Sequence, residues 1–390
     1  MRSLYDHQII FPSELSFSIK DLEEEIESIT ALDCFSIVNS GQDLNQLRDP
    51  RFAEWSTNEN FIIFGAGGSS LGGQCISSVL KNSAKNIKYV YNSDPATLDK
   101  LFSRINPQKT GFLCISKSGE TLETICQVLL AQHFVKEKNK FVFITENKES
   151  SLKEMANTLG CLCLDHPKNI GGRFSVFSLT GMVPALLSGV DPLRMRIGGA
   201  RALVNYRNRI REGIGFIREC IKNNITQHVS FIYSDKLQKF GPWLAQLYAE
   251  STGKSGRGIT PLTAIGATDQ HSQLQLYLDG PRDKCFTFIE EEQNSKLRIP
   301  VSGNIPYLKN RAMRDVFKAQ CAATIASIQE KGAYIRKINV STIVPEMLGA
   351  LFMHFMVEVV IVCKTLGVNP FDQPAVERGK VITKKLIIEC

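Results

Sequence analysis

Five short apolar runs do most to limit what this chain can fold into: FIIFG at 61–65, KYVY at 88–91, GFLCIS at 111–116, FVFIT at 141–145 and CLCL at 161–164. They lack the polar–apolar alternation of a half-exposed strand, so they read as strands buried on both faces, as in a parallel sheet covered by helices. Helical stretches at 121–137 and 151–159 separate them, which predicts repeated βα units. A charged helical stretch at 191–224 leads into a second series: HVSFIY at 228–233, a helix at 237–250, KCFTFI at 284–289 and YIRKINV at 334–340. A last helix is expected from about Gln373. The 390 residues suffice for two α/β domains, and the boundary is placed near 195, giving 1–195 and 196–390.

Charge narrows the partners. Lys and Arg number 46 against 39 Asp and Glu, a net +7 spread along the chain rather than gathered in an arm. That suits a small anionic substrate and points to no nucleic acid. The 11 cysteines form no paired CxxC blocks, so free buried thiols and a reducing, cytoplasmic compartment are expected. The N-terminal MRSLYDHQIIFPSE lacks the continuous apolar region of an export signal. The most membrane-like run, Met347 to Cys363, is interrupted by His354 and Glu358; it reads as a buried core helix, and no membrane partner is expected.

Two loops carry the first chemical signal. In FGAGGSSLGG, 64–73, glycines follow a strand and open a helix, where unpaired N–H groups and the positive dipole end favour an anion. A dinucleotide fingerprint would need glycine at Ser70 and a Walker loop lysine at Gln74, so neither nucleotide reading fits well. Alone, the loop also fits a plain strand-to-helix turn. In Ser116-Lys117-Ser118-Gly119-Glu120-Thr121, hydroxyls, backbone N–H groups and one ammonium converge at a second helix start, enough to hold a phosphate without a metal. Two such strand ends define one crevice outside the carboxyl edge of a sheet.

Four further blocks supply acid–base and electrostatic groups. GGRFS at 171–175 delivers Arg173, a cation suited to a developing enolate oxygen, although an Arg after two glycines also fits a surface turn. QLYAESTGK at 246–254 places Glu250 at the end of a helix, where a carboxylate gains nothing from the dipole and can serve as a general base; a solvated glutamate is the alternative. DQHSQ at 269–273 sets His271 among polar neighbours, a context suited to proton transfer or to a hydrogen-bonded loop histidine. The last block is NPFDQPAVERGK, 369–380.

In this order, GAGGSSLGG, SKSGETLET, GGRFS, YAESTGK, TDQHSQ and NPFDQPAVERGK resemble the signature blocks of the glucose-6-phosphate isomerase family, from about 60 to 385. The resemblance implies an α/β fold of two sugar-isomerase domains, each a mainly parallel sheet sandwiched by helices, plus the C-terminal helix. It implies a homodimer with the site between domains and subunits, and a metal-free, cofactor-free conversion of glucose 6-phosphate to fructose 6-phosphate in glycolysis and gluconeogenesis. Carried over motif by motif, Ser69, Ser116, Lys117, Ser118 and Thr121 would hold the phosphate, with Gly68 letting the backbone approach. Glu250 would move the proton between C1 and C2 through a cis-enediol, and Arg173 would stabilise the negative oxygens. His271, from the neighbouring subunit, and Lys380 would assist ring opening, while Gln246 and Gln373 would line the site. Gly119 and Glu120 stand where many family members carry other residues, and a carboxylate beside the phosphate loop costs affinity unless it points away or pairs with a cation. The motifs leave two other readings open, an isomerase that also accepts mannose 6-phosphate and a sugar-phosphate sensor on the same fold.

Overall fold

The computed structural model describes residues 3–12, 21–301 and 305–389. Among these the strands are β1 Tyr5–Phe11, β2 Asn60–Phe64, β3 Asn86–Val90, β4 Thr110–Ile115, β5 Phe141–Thr145, β6 Leu162–Asp165, β7 Gln227–Tyr233, β8 Thr260–Ile265, β9 Lys284–Glu291 and β10 Tyr334–Val340. The helices are α1 Asp21–Thr30, α2 Asp33–Ser36, α3 Pro50–Trp55, α4 Leu71–Leu80, α5 Pro95–Phe102, α6 Leu122–Phe134, α7 Ser151–Leu159, α8 Leu179–Leu187, α9 Pro192–Asn205, α10 Arg207–Lys222, α11 Phe240–Thr252, α12 Leu274–Asp279, α13 Met313–Glu330, α14 Pro345–Leu366 and α15 Glu377–Glu389.

The five apolar runs of the first half become one parallel sheet in the order β3-β2-β4-β5-β6. Every residue of β4 and β5 is buried. The reason is a layer on each face. Phe64, Phe112 and Phe143 pack with Val128 of α6 and Leu152 of α7, while Ile63, Leu113 and Ile144 pack with Leu179 and Val183 of α8 and Trp55 of α3.

The second sheet has the order β1-β10-β9-β7-β8 and is parallel except at β1, which runs antiparallel to β10. It therefore takes strands from both ends of the chain. Tyr5 and His7 of β1 point inward, with Asp6 and Gln8 outward, an alternation suited to an edge strand. β8 is the other edge. Its residues are mostly half-exposed and include Pro261, whose missing N–H an edge position tolerates. The charged stretch at 191–224 is two helices, α9 and α10, that break at Tyr206. The last helix starts at Glu377 rather than Gln373, because Pro374 opens a short 3-10 turn ahead of it and biases the residue before it away from helix.

The apolar run at 347–363 lies in α14, which is buried along nearly its whole length. Glu358, the charge that interrupts it, is bound by Arg336 of β10 through Nη1 at 2.5 Å and Nη2 at 2.8 Å, both side chains having no exposure. Arg336 Nε also donates to Thr287 of β9 at 2.7 Å, and the Tyr248 hydroxyl of α11 donates to Glu358. Burial works against the Glu358 charge, but Arg336 prevails and holds its carboxyl well below the usual range. This answered charge ties α11 and α14 to the second sheet; removing one partner would leave the other uncompensated.

Candidate active site

β2 and β4 are neighbours in the sheet, so the loops that follow them emerge side by side at its carboxyl edge. The first forms a 3-10 turn over Gly67–Ser69 before α4, and the second spans 116–121 before α6. Both helices start at this crevice, with their free N–H groups turned to it. Ser116 Oγ and Thr121 Oγ1 lie 2.8 Å apart, and Ser116 Oγ also accepts from Gly119 N at 3.1 Å. Gly119 has φ +72, and a Cβ there would come within 2.1 Å of Ser150 Oγ. Only glycine fits this turn.

Lys117 Nζ lies 3.3 Å from Glu146 Oε1, and Lys148 holds the other oxygen of that carboxylate at 2.7 Å. Burial opposes the Glu146 charge, yet Lys148 and Lys117 keep its carboxyl below the usual range. Ser118 is exposed, and its Oγ accepts from Glu120 N at 3.2 Å. Glu120 itself turns away from the loop. Its oxygens accept from Ser151 N at 2.7 Å and Ser151 Oγ at 2.8 Å, at the N-terminus of α7, where an anion is favoured. The carboxylate beside the phosphate-type loop is thus spent on a neighbouring helix.

The first loop joins the second half of the chain directly. A Cβ on Gly68 would lie 2.1 Å from Gly172 C and 2.6 Å from Arg173 N, and one on Gly67 would lie 2.8 Å from Gln246 Nε2. In this structure the missing Cβ of Gly68 makes room for the Gly172–Arg173 peptide. Arg173, 3% exposed, has all five N–H donors of its guanidinium occupied. Nε donates to Ser251 Oγ at 2.8 Å, Nη1 to Glu250 Oε2 at 3.1 Å and Gln373 Oε1 at 3.2 Å, and Nη2 to the carbonyls of Asp372 at 3.0 Å and Pro370.

Glu250 stands in the last turn of α11 with its side chain 31% exposed. It accepts from Gln246 Nε2, one turn earlier, at 2.8 Å and from Arg173. Two of its roughly four lone-pair positions are taken, and the remainder can receive a proton. The carboxylate therefore has a fixed orientation and spare capacity.

The structure brings together Arg173, Glu250, Gln246 and Gln373, and Gly67 and Gly68 attach the loop of Ser69 to them; the loop of Ser116, Lys117, Ser118 and Thr121 lies beside that loop at the same sheet edge. It does not bring His271 or Lys380 to this cluster. His271 is exposed on the turn after β8. That turn is pinned by Asp269, which accepts from Ile265 N at 2.7 Å, and by Gln270, which donates to Tyr233 OH at 2.7 Å. Lys380 is exposed on α15 and donates to Glu377 at 2.6 Å. Sequence reading missed the supports of the site. Glu146 directly follows β5 and Ser251 directly follows Glu250, but neither has a local pattern that marks it as the partner of Lys117 or Arg173.

Two helix-covered sheets, the first edged with phosphate-type loops and followed by Arg173, which pairs with Glu250 on a helix between two strands of the second, make up a sugar-isomerase fold. The crystal structure of a hypothetical protein from Thermus thermophilus has the same architecture, with a TM-score of 0.87 at 26% identity over 95% of this chain and 94% of that one. A probable glucose-6-phosphate isomerase of Methanococcus maripaludis is 34% identical over 357 residues, 86% of this chain and 80% of its own. The glucose-6-phosphate isomerase of Rubrobacter xylanophilus is 31% identical over 351 residues, 83% and 81% respectively. The phosphoglucose isomerase profile matches residues 53–389, and the chain belongs to that family.

Proposed function

We propose that this protein interconverts glucose 6-phosphate and fructose 6-phosphate, an aldose–ketose isomerisation in glycolysis and gluconeogenesis, and that the cluster around Glu250 is its active site. The observation that carries the assignment to this cluster is the Gln246–Glu250–Arg173 chain of hydrogen bonds abutting, through Gly67 and Gly68, the first of two neighbouring helix-start loops rich in hydroxyls. The phosphate is held by Ser69, Ser116, Lys117, Ser118 and Thr121. Glu250 removes the C2 proton of the open-chain aldose, the electron pair forms the C1–C2 double bond, and O1 takes up a proton. Return of a proton to C1 as the O2 hydroxyl becomes a carbonyl gives the ketose. Arg173, held beside Glu250, stabilises the intermediate through its charge. Gln246 and Gln373 orient the sugar.

His271 and Lys380 serve ring opening, and the protein works as a homodimer in which His271 crosses to the neighbouring subunit. Two features favour this. His271 is held outward on a pinned turn. α15 has no buried residue and exposes Val381, Ile382, Leu386, Ile387 and Ile388, whereas a helix of this length is marginal in water without a packing surface. The described cysteines are thiols, in keeping with a reducing cytoplasm. The test is turnover of fructose 6-phosphate to glucose 6-phosphate by the purified protein, read by a coupled dehydrogenase. Turnover is expected; tight binding without turnover would make the protein a sugar-phosphate sensor.

A further inference from the structure

The turn after α11 carries two cations with no part in the chemistry above. Lys254 and Arg257 pair through their backbones, Lys254 N to Arg257 O at 3.2 Å and Arg257 N to Lys254 O at 2.9 Å. Arg257 Nη1 donates to the carbonyl of Leu366 at 2.6 Å, at the C-terminal end of α14, where a cation complements the helix dipole. The turn is thereby fastened to α14, and Lys254 leaves it from a fixed base.

The Lys254 ammonium has three N–H donors, and three acceptors meet it. They are the Ser251 carbonyl at 3.1 Å, the Asn369 carbonyl and the Asp372 carboxylate at 3.0 Å. Its side chain is 11% exposed. The segment it grips, 369–373, lies outside helix and strand, and among the described residues no backbone-to-backbone hydrogen bond holds it. Its other anchors are Arg173, which binds the Pro370 and Asp372 carbonyls and Gln373, and the Phe174 ring 5.3 Å from that of Phe371. This one short segment sets where Gln373 meets Arg173 and from where α15, with Lys380, departs.

We propose that Lys254 is a positioning residue for the isomerisation: with Asp372 it locks the 369–373 segment so that Gln373 and Arg173 stay in register with Glu250 and α15 leaves at a defined place. The inference rests on the isomerase reading. Lys254 acts through the segment and takes no part in holding the phosphate, which lies with the loops at 69 and 116–121. Its loss therefore lowers kcat and spares phosphate binding.

The experiment compares Lys254→Met, Lys254→Arg, Asp372→Asn and the Met/Asn double variant with the unaltered full-length protein. The readouts are kcat and KM for fructose 6-phosphate, the inhibition constant of inorganic phosphate, and the thermal midpoint. Lys254→Met is expected to lose about tenfold to a hundredfold in kcat, the usual penalty of misplacing reacting groups by about 1 Å. Inorganic phosphate should inhibit within about twofold of the unaltered protein, with the thermal midpoint unmoved. Asp372→Asn should lose turnover in the same direction, the double variant should be no worse than the poorer single one, and Lys254→Arg should recover part of the loss. Full kcat in Lys254→Met, additive losses in the double variant, or a kcat loss that follows weakened phosphate inhibition and a fallen midpoint would each overturn the positioning role while leaving the isomerase intact. No turnover by the unaltered protein would overturn both.

Discussion

Replacing Glu250 by Gln separates proton transfer from the other tasks of the site. The carboxylate accepts from Gln246 at 2.8 Å and from Arg173 at 3.1 Å. A glutamine keeps the shape, and its amide oxygen can still face Arg173, but its NH2 then faces the Gln246 donor. Gln246 has the means to adjust, because its own Oε1 is buried without a partner and a flip of that amide pairs it with the new NH2. The cost to folding is one ion pair whose acidic member is 31% exposed, about 1 kcal/mol or less after solvent screening. The cost to chemistry is the base itself, about 10²- to 10⁴-fold in kcat. At about 1.4 kcal/mol per tenfold, that is about 3–5.5 kcal/mol of transition-state stabilisation. KM should move little, since the phosphate-type loops are untouched. The assay is coupled turnover at saturating fructose 6-phosphate, with urea unfolding as the control for the fold. A folded Glu250→Gln variant whose kcat stays within about tenfold of the parent would refute Glu250 as the base.

Lys117→Ala should act at the opposite end of the site. It removes a charge-assisted hydrogen bond worth about 1.5–3 kcal/mol, so KM for the sugar phosphate should rise about tenfold to a hundredfold while kcat changes far less; an unchanged KM would place the phosphate elsewhere. Gly68→Ala would force a Cβ to within 2.1 Å of the Gly172 carbonyl carbon. With backbone on both sides the loops must part, so urea unfolding should show a loss of about 1–3 kcal/mol and turnover should drop as Arg173 shifts. Stability should also fall as pH drops below 6.5, because burial pushes His7 down from 6.5 to about 4 and His228 to about 3. Between those values the unfolded chain binds protons that the folded chain refuses, so each histidine withdraws up to about 1.4 kcal/mol per pH unit. Urea midpoints from pH 7 to 4 measure this, and His228→Leu should make the fall shallower.

Much of the fold was legible because its signals are local. An unbroken apolar run such as FVFIT can lie in a covered sheet without leaving a polar face buried, and the Ser150-Ser151 start of α7 can be read from a few residues. The loops at 65–70 and 116–121 were legible for the same reason: glycines and hydroxyls between a strand and a helix have few other uses. β8 and β1 were not, since their residues acquire a strand's partners only when β7 and β10 present open edges. The outward turn of Glu120 was equally hidden, because its partner is the N-terminus of a helix 31 residues further on.

The sequence by itself determined which chemical groups the protein possesses and the order in which strands and helices follow one another. Tertiary structure alone decided which groups meet. Arg173 finds Glu250 across 77 positions and Gln373 across 200. It also gave Gly68 its packing role against Gly172, and it left His271 and Lys380 facing outward. The physical reason is that periodicity and turn chemistry act over a few residues, whereas a buried guanidinium is satisfied by whichever acceptors the packing of two sheets and α14 delivers to it.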